Sequence, residues 1–196
     1  MSMIRSICLF CGSNKGAKPE YEQAARDFGR TLAEQGITLV YGAGKVGLMG
    51  VAADAALAAG GKVIGVIPEF LKAKEVAHLG LTELHVTETM HQRKAMMAQL
   101  SDGFIALPGG FGTFDELFEI LTWAQLSVHG KPVGMLDAAG FFQPLLAMAR
   151  HAVEEGFVPV GNLELFRADA DLSKLLDWMR QYQPQSVPKW LELSKT

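Results

Sequence analysis

The fold of this 196-residue chain is decided by the stretch Phe104-Ile105-Ala106-Leu107-Pro108-Gly109-Gly110-Phe111-Gly112-Thr113. Its first four residues are apolar, as expected of a strand that is buried on both faces of a parallel sheet. A glycine-rich turn follows, and the apolar spacing over residues 114–128 predicts an amphipathic helix. A strand joined to a helix by a tight turn is the repeating unit of parallel α/β proteins.

The same unit recurs along the chain. Short apolar runs alternate with helical stretches, which predicts an α/β fold with a Rossmann-like, doubly wound parallel sheet flanked by helices on both faces. The predicted strands are 6–10, 38–41, 62–67, 103–107 and 132–136, with weaker candidates at 83–86 and 163–166. The predicted helices are one from Pro19 to Gly36 and others at 48–59, 90–100, 114–128, 141–155 and 172–182. We expect a single domain over residues 1–183 and a loosely ordered tail over 184–196, with a short helix at 189–193.

Composition excludes several classes of function. The formal net charge is −3, which argues against a nucleic-acid-binding surface because such a surface needs a basic stripe. No apolar run approaches the roughly 20 residues of a membrane helix, and the N-terminal residues lack a small-residue cleavage site. We therefore expect a cytoplasmic protein with neither nucleic acid nor membrane as a partner.

The cysteines and histidines do not indicate a metal site. Cys8 and Cys11 form a C-x-x-C pair that spans a strand end and enters a loop, whereas a thioredoxin-type motif would begin a helix. Two thiolates alone cannot complete a structural zinc site, and the five histidines lack ligand spacing. We interpret the cysteines as small buried thiols.

The loop Gly109, Gly110, Phe111, Gly112 and Thr113 is the strongest candidate for a binding site. Glycines let a ligand approach the backbone closely. Free N–H groups at the start of a helix then attract an anion such as phosphate, assisted by the helix dipole. The alternative is a tight turn that needs glycine only for its geometry, and three glycines in four residues favour the phosphate interpretation.

Two other glycine-rich loops leave the carboxyl ends of predicted strands, where ligands of such sheets bind. They contribute Gly12 and Ser13 from the first loop and Gly42 and Gly44 from the second. The second loop fits G-x-G-x-x-G, but no acidic residue stands about 20 positions further on at a strand end. That absence disfavours an NAD(P)-dependent oxidoreductase and leaves a second backbone wall around a nucleotide.

Thr113 and Glu116 have two interpretations. Thr-x-x-Glu before an apolar run is a capping box, which would explain both residues structurally. A glutamate in the first helical turn beside an anion loop is equally well placed as a catalytic carboxylate, kept ionised by the helix dipole. The spacing alone leaves both open.

Arg93 lies within the apolar stripe of a helix that Thr89 and Gln92 would cap. The stripe includes Met90 and Met97, so it faces the core. A guanidinium on such a face needs a carboxylate or phosphate partner, because an unpaired buried charge is costly. A functional arginine is therefore favoured over a structural ion pair or a side chain that extends back to water.

With these residues assembled, the sequence resembles the Lonely Guy family, often labelled lysine decarboxylase-like. The family motif P-G-G-x-G-T-x-x-E is present from Pro108 to Glu116, and its M-H-x-R-K segment is present from Met90 to Lys94. Supporting matches lie at 11–13, 47–50 and 122–125, and the resemblance runs from about residue 7 to 146.

The resemblance implies a phosphoribohydrolase that splits cytokinin riboside 5′-monophosphates, or AMP, into free base and ribose 5-phosphate without a cofactor. It implies Arg93 and Glu116 as the catalytic pair, residues 109–113 as the 5′-phosphate site, and nucleotide contacts from Lys94, Glu75 and Thr122. It also implies a homodimer with pockets near the subunit interface. Members commonly have glycine where this chain has Ala43, which implies a changed shape of the second loop.

Other activities remain as alternatives. The principal rival is a non-enzymatic carrier of a nucleotide or of molybdenum cofactor that uses the same loops. Decarboxylation would need a Schiff-base lysine in a pyridoxal-phosphate site, and nothing marks Lys45 or Lys94 for that role.

Overall fold

The computed structural model describes residues 3–72 and 77–184. Seven parallel strands form one sheet in the order β4-β3-β2-β1-β5-β6-β7, which confirms the predicted doubly wound α/β fold. The strands are β1 (Ser6–Phe10), β2 (Thr38–Tyr41), β3 (Val63–Pro68), β4 (Glu83–Thr87), β5 (Gly103–Ala106), β6 (Val133–Leu136) and β7 (Phe166–Asp169).

The described residues form seven α-helices, of which six connect these strands and the last follows β7. They are α1 (Pro19–Glu34), α2 (Gly47–Ala58), α3 (Glu69–Lys72), α4 (Met90–Gln99), α5 (Phe111–Gln125), α6 (Gln143–Glu154) and α7 (Leu172–Gln181). The prediction was wrong at two places that matter. Helix α5 begins three residues before the predicted start, and a 3-10 helix at Val160–Leu165 occupies most of the predicted last strand. The predicted helix at 189–193 lies outside the described residues.

Side chains of successive strand residues enter two different cores. In β1, Ile7 packs with α1, α2 and α7, whereas Cys8 packs with α4 and α5 on the opposite face. Since alternate residues of a strand point to opposite faces, an uninterrupted apolar strand requires helices on both. This is why the central strands lack the polar alternation of a half-exposed sheet.

The strand order reverses between β1 and β5. The chain first builds outward from β1 through β2 and β3 to β4 and then returns to place β5 on the other side of β1. The two loops that leave β1 and β5 touch, because Gly12 N donates to Pro108 O at 3.0 Å. Crevices at such switch points are where open α/β sheets bind ligands.

Among the described residues, no helix combines the length and apolar character needed to cross a membrane.

Candidate active site

A cleft of about 250 Å³ opens at the switch point, above the carboxyl ends of β1 and β5. We call it the switch-point cleft, and its lining residues are Cys11, Gly12, Ser13, Met49, Leu71, Met90, Arg93, Gly110, Phe111, Gly112, Thr113, Asp115 and Glu116. It therefore brings together the first loop, the glycine-rich loop, Arg93 and Glu116. Its volume lies just below the roughly 300–1,000 Å³ typical of small-molecule pockets.

The start of α5 forms one wall of the cleft. Gly110 is the N-cap and provides no side-chain cap, and the first intrahelical bond is from Phe114 N to Gly110 O at 3.1 Å. The amides of Phe111, Gly112 and Thr113 consequently belong to the first turn, where N–H groups have no acceptor within the helix. Three such groups beside an open cleft are suited to bind an anion.

The three glycines of this loop differ in what surrounds them. A Cβ at Gly109 would lie 2.1 Å from Thr113 Oγ1 and 2.7 Å from Gly12 N, so close packing requires glycine there. A Cβ at Gly110 or Gly112 would meet no atom of the described residues within 4 Å, and neither backbone has a positive φ. The fold itself thus gives no steric reason for glycine at these two positions, which border the open cleft.

The capping-box interpretation of Thr113 and Glu116 was wrong. Because α5 begins at Phe111, Thr113 is already the third helical residue and Glu116 lies in the second turn. The dipole effect falls off within the first turn, so it does not act on Glu116 as we expected. The buried Thr113 instead packs against Gly109.

Glu116 lines the cleft close to the two cysteines. Cys8 and Cys11 are free and buried, as predicted. Burial raises the pKa of both thiols, and the negative charge of Glu116 raises it further. The thiols are therefore protonated at neutral pH, and Glu116 and Arg93 are charged cleft-lining groups that act on Cys8.

Arg93 is buried with Met97 on the core-facing side of α4, as predicted, and is only 5% exposed. Its Nε donates to Val66 O at 3.2 Å and its Nη2 to Gly42 O at 3.3 Å. These two carbonyls fix the direction of the guanidinium without cancelling its charge. Gly42 has no room for a side chain, because a Cβ there would lie 1.8 Å from Arg93 Nη2.

The predicted cap of α4 is confirmed. Thr89 Oγ1 accepts from Gln92 N at 3.2 Å. In a standard capping box the Gln92 side chain would accept from the backbone N–H of Thr89. Here Gln92 Oε1 accepts instead from Glu88 N, one residue earlier, at 2.9 Å. This double cap fixes the first turn of the helix that carries Arg93.

Lys94 is not among the cleft-lining residues but pairs with α5, whose Asp115 does line the cleft. Its Nζ lies 2.8 Å from Asp115 Oδ2 and 3.1 Å from Glu119 Oε2. Burial alone would lower the pKa of Lys94, but the hydrogen bonds to Asp115 and Glu119 outweigh it, so the pKa is raised. The lysine therefore joins α4 to α5 beside Arg93 and Glu116 in sequence.

Two other residues predicted to contact the nucleotide, Gly44 and Thr122, are not among the described residues that line the switch-point cleft. Gly44 pairs with Ala77 in an isolated antiparallel bridge. Thr122 lies about 9 Å further along α5 than Glu116, donates to Phe118 O at 2.7 Å, and lines a second cavity. Glu75 lies outside the described residues.

Sequence reasoning missed the apolar part of the cleft, which Met49, Leu71 and Met90 provide. Met90 belongs to the apolar stripe of α4 and opens the M-H-x-R-K segment, but neither feature predicted that it would line the cleft. Leu71 lies on α3, which the sequence did not predict. The position of Met49 behind the second glycine-rich loop was the one available signal.

Fold and cleft together define a Rossmann-like α/β protein in which a glycine-rich helix start, a buried arginine and a carboxylate line one cleft. The family model described as "Possible lysine decarboxylase" matches residues 49–179. Cytokinin riboside 5′-monophosphate phosphoribohydrolase LOG3 of Arabidopsis thaliana is 45% identical over 183 residues, covering 93% of this chain and 85% of the relative. The cytokinin riboside 5′-monophosphate phosphoribohydrolase of Rhodococcoides fascians is 52% identical over 155 residues, covering 79% of this chain and 78% of the relative. The chain belongs to the Lonely Guy family, as the motifs predicted.

A solved structure of the molybdenum cofactor carrier protein MCP from Chlamydomonas reinhardtii is also similar. It has a TM-score of 0.68 at 23% identity, covering 90% of this chain and 96% of the carrier. A likeness at this identity shows a shared fold and carries no argument for a carrier function.

Proposed function

We propose that this protein hydrolyses the N-glycosidic bond of a nucleoside 5′-monophosphate, giving free base and ribose 5-phosphate. The substrate is AMP, an N6-substituted cytokinin riboside monophosphate, or both. One observation carries the proposal: first-turn amides of α5, the Arg93 guanidinium and the Glu116 carboxylate all line one cleft. The names of the relatives from Arabidopsis thaliana and Rhodococcoides fascians support the same reaction.

The 5′-phosphate binds the amides of Phe111, Gly112 and Thr113 in this proposal. A phosphate is remote from the bond that breaks, so its binding energy can serve to orient the ribose. The exposed backbone at Gly110 and Gly112 lets the phosphate oxygens approach without meeting a side chain.

Glu116 and Arg93 act on the sugar and the base. Glu116 activates water or stabilises the positive charge that develops at C1′, as carboxylates do in glycoside cleavage. Water adds to C1′ while the bond to the base nitrogen breaks, and the base leaves with the bonding electron pair and takes up a proton. Arg93, fixed by two carbonyls, holds the substrate and favours departure of the base.

The decisive test of the reaction is the substitution Glu116→Gln. Glutamine preserves the shape of the side chain but can neither accept the proton of water nor balance a cation. We expect a folded variant whose release of adenine from AMP is lower by about 10²- to 10⁴-fold, the usual contribution of a positioned general base. Glu34→Gln, on the exposed end of α1, is the matched control and should retain full activity.

Two results would reject this assignment. A folded Glu116→Gln variant with wild-type turnover would remove the catalytic role of Glu116. Wild-type protein that binds AMP but releases no adenine would instead favour the carrier.

We also propose that the protein works in the cytoplasm as a homodimer of single-domain subunits, each with its domain over residues 1–183. The two free cysteines suit a reducing compartment.

The dimer proposal rests on an apolar surface that we call the α5–α6 face, which surrounds a cavity of about 290 Å³. Its members include Phe118, Leu121, Leu145, Met148 and Val158.

Two features of the α5–α6 face favour a second copy as its occupant. Met148 is 54% exposed, and contiguous exposed apolar surface marks interaction sites. Asn162 is 5% exposed, yet neither its side-chain nitrogen Nδ2 nor its side-chain oxygen Oδ1 has a hydrogen-bond partner among the described residues. Thr122 lies on this face, so we assign its nucleotide contact to the site of the neighbouring subunit.

Light scattering tests the dimer. Met148→Glu should yield monomers, because a charge would be buried in the interface. Leu79→Glu is the matched control, since Leu79 is an exposed apolar residue outside this face, and it should remain dimeric. A dimer that persists in Met148→Glu would exclude the α5–α6 face.

A further inference from the structure

Two described parts of the connection after β3 lie beside the site: α3, and residues 77–80, which we call the returning chain. Leu71 on α3 lines the cleft. Further along, Ala77 forms an antiparallel bridge with Gly44, and His78 N donates to Ala43 O at 2.9 Å. The returning chain is thus bonded to the two residues that follow Gly42, whose carbonyl holds Arg93.

The imidazole of His78 anchors this returning chain to α2. His78 is buried, and its Nε2 lies 2.9 Å from Asp54 Oδ1. Gly80 N donates to the other ring nitrogen at 3.1 Å. Because Nδ1 accepts a hydrogen bond, the ring proton resides on Nε2 and is donated to Asp54. Both ring nitrogens are therefore hydrogen-bonded, Nε2 to Asp54 on α2 and Nδ1 to Gly80 of the returning chain itself.

Ala43 shows that this arrangement is held under strain. It is fully buried with φ of 61°, in the left-handed region that disfavours residues with a Cβ. Its methyl packs with Ile67 and Ala77, and its carbonyl accepts the bond from His78. Strained backbone persists only where its surroundings enforce it, so the His78 contacts contribute to the shape of the wall behind Arg93.

We propose that His78 and Asp54 form a positioning pair for the reaction, holding the 42–44 loop so that Gly42 presents its carbonyl to Arg93. This inference rests on the proposed function. Neither residue lines the switch-point cleft, so the pair acts through the loop and not on the substrate. The phosphate wall at the start of α5 is a separate element and does not depend on the pair.

The test compares Asp54→Ala with Asp54→Asn. Alanine removes the acceptor, whereas the amide oxygen of asparagine can accept the same bond from His78. We expect Asp54→Ala to lower kcat/KM for AMP about fivefold, the equivalent of one hydrogen bond of about 1 kcal/mol. Asp54→Asn should restore kcat/KM to within about twofold. Asp27→Ala, which removes an exposed helical carboxylate on α1, should leave kcat/KM unchanged.

Two further measurements separate positioning from simple stabilisation. The affinity for ribose 5-phosphate should stay within about twofold in Asp54→Ala, because the phosphate wall is intact. The double variant Asp54→Ala/His78→Gln should lose no more activity than His78→Gln alone, since bonded partners are not additive. A lower melting temperature with unchanged kcat/KM, or fully additive losses, would overturn the proposal.

Failure of the proposed function would be recognised separately. If wild-type protein releases no adenine, the hydrolase assignment fails whatever the variants do. The pair is then judged by equilibrium binding of AMP to the same variants. Weaker AMP binding in Asp54→Ala, restored in Asp54→Asn, would support the pair, and equal binding in all of them would reject it.

Discussion

Replacing Gly112 by alanine should make this protein more stable and less active. Gly112 is the second residue of α5, it is exposed, and a Cβ there would meet no described atom within 4 Å. Alanine is favoured over glycine in a helix by about 0.8–1.0 kcal/mol. For a chain of this size, 1 kcal/mol corresponds to roughly 2–4 °C in melting temperature, so we expect a rise of about that amount.

The same methyl group would stand where the phosphate oxygens approach the helix start. Displacing the phosphate from a charge-assisted hydrogen bond costs about 1.5–3 kcal/mol, which corresponds to a roughly 10- to 150-fold rise in KM for AMP. The assay pairs thermal unfolding with adenine release over a range of AMP concentrations. Gly109→Ala provides the contrast, because its Cβ would collide with Thr113 Oγ1, so stability should fall as well. A Gly112→Ala variant with raised melting temperature and unchanged KM would refute the anion site.

Three further predictions concern stability. The pKa of Lys94 is raised above its ordinary value of 10.5, so pairing of this lysine stabilises the fold below that pH and is lost as pH rises through the folded-state pKa. The melting temperatures of wild type and Lys94→Met should therefore converge above about pH 10.5. Burial lowers the pKa of His129 below 6.5, so stability should fall as pH drops below 6.5, and His129→Gln should flatten that slope in melting curves from pH 7 to 5. Ala43→Gly relieves left-handed strain of about 1–2 kcal/mol but loses a buried methyl worth about 0.8 kcal/mol and gains unfolded-state entropy. Its melting temperature should therefore stay within about 2 °C of wild type, whereas Ala43→Val should melt several degrees lower.

The sheet could be predicted from sequence because its central strands are buried on both faces. The strands β1 and β2 have the predicted bounds, and β3, β5 and β6 differ by one residue at one or both ends. The strand β7 could not be located, because the apolar residues that suggested it belong to the 3-10 helix before it. The periodicity of a short apolar run does not distinguish a buried strand from a buried helical segment.

The helix start at the glycine loop could not be predicted either. The Thr-x-x-Glu pattern has a well-understood capping role, and it suggested a start near Thr113. The structure begins the helix at Phe111, so Gly112 enters the first turn despite the low helix propensity of glycine. Local propensity thus yields at the very residues that border the cleft, as it often does at functional sites.

Charge partners were the least predictable feature of the site. Arg93 and Lys94 are neighbours in sequence, and the stripe on α4 correctly placed Arg93 in the core. The sequence could not show that Lys94 would pair with Asp115 and Glu119, because those contacts depend on how α4 and α5 pack. Nor could it show that Arg93 would be held by backbone carbonyls of β3 and of the loop after β2.

Lys94 and Arg93 have different surroundings, and those of Arg93 suit the proposed role in glycosidic-bond cleavage. The carboxylates of Asp115 and Glu119 compensate the charge of Lys94, so the lysine joins α4 to α5, and its contact with the nucleotide stays a prediction. The carbonyls of Val66 and Gly42 orient Arg93 from two directions without neutralising it, which suits a planar guanidinium with several donors. Glycine at position 42 is required for that arrangement, and the second glycine-rich loop therefore supports the arginine. The loop that resembled a cofactor fingerprint thus becomes the support of a candidate catalytic residue.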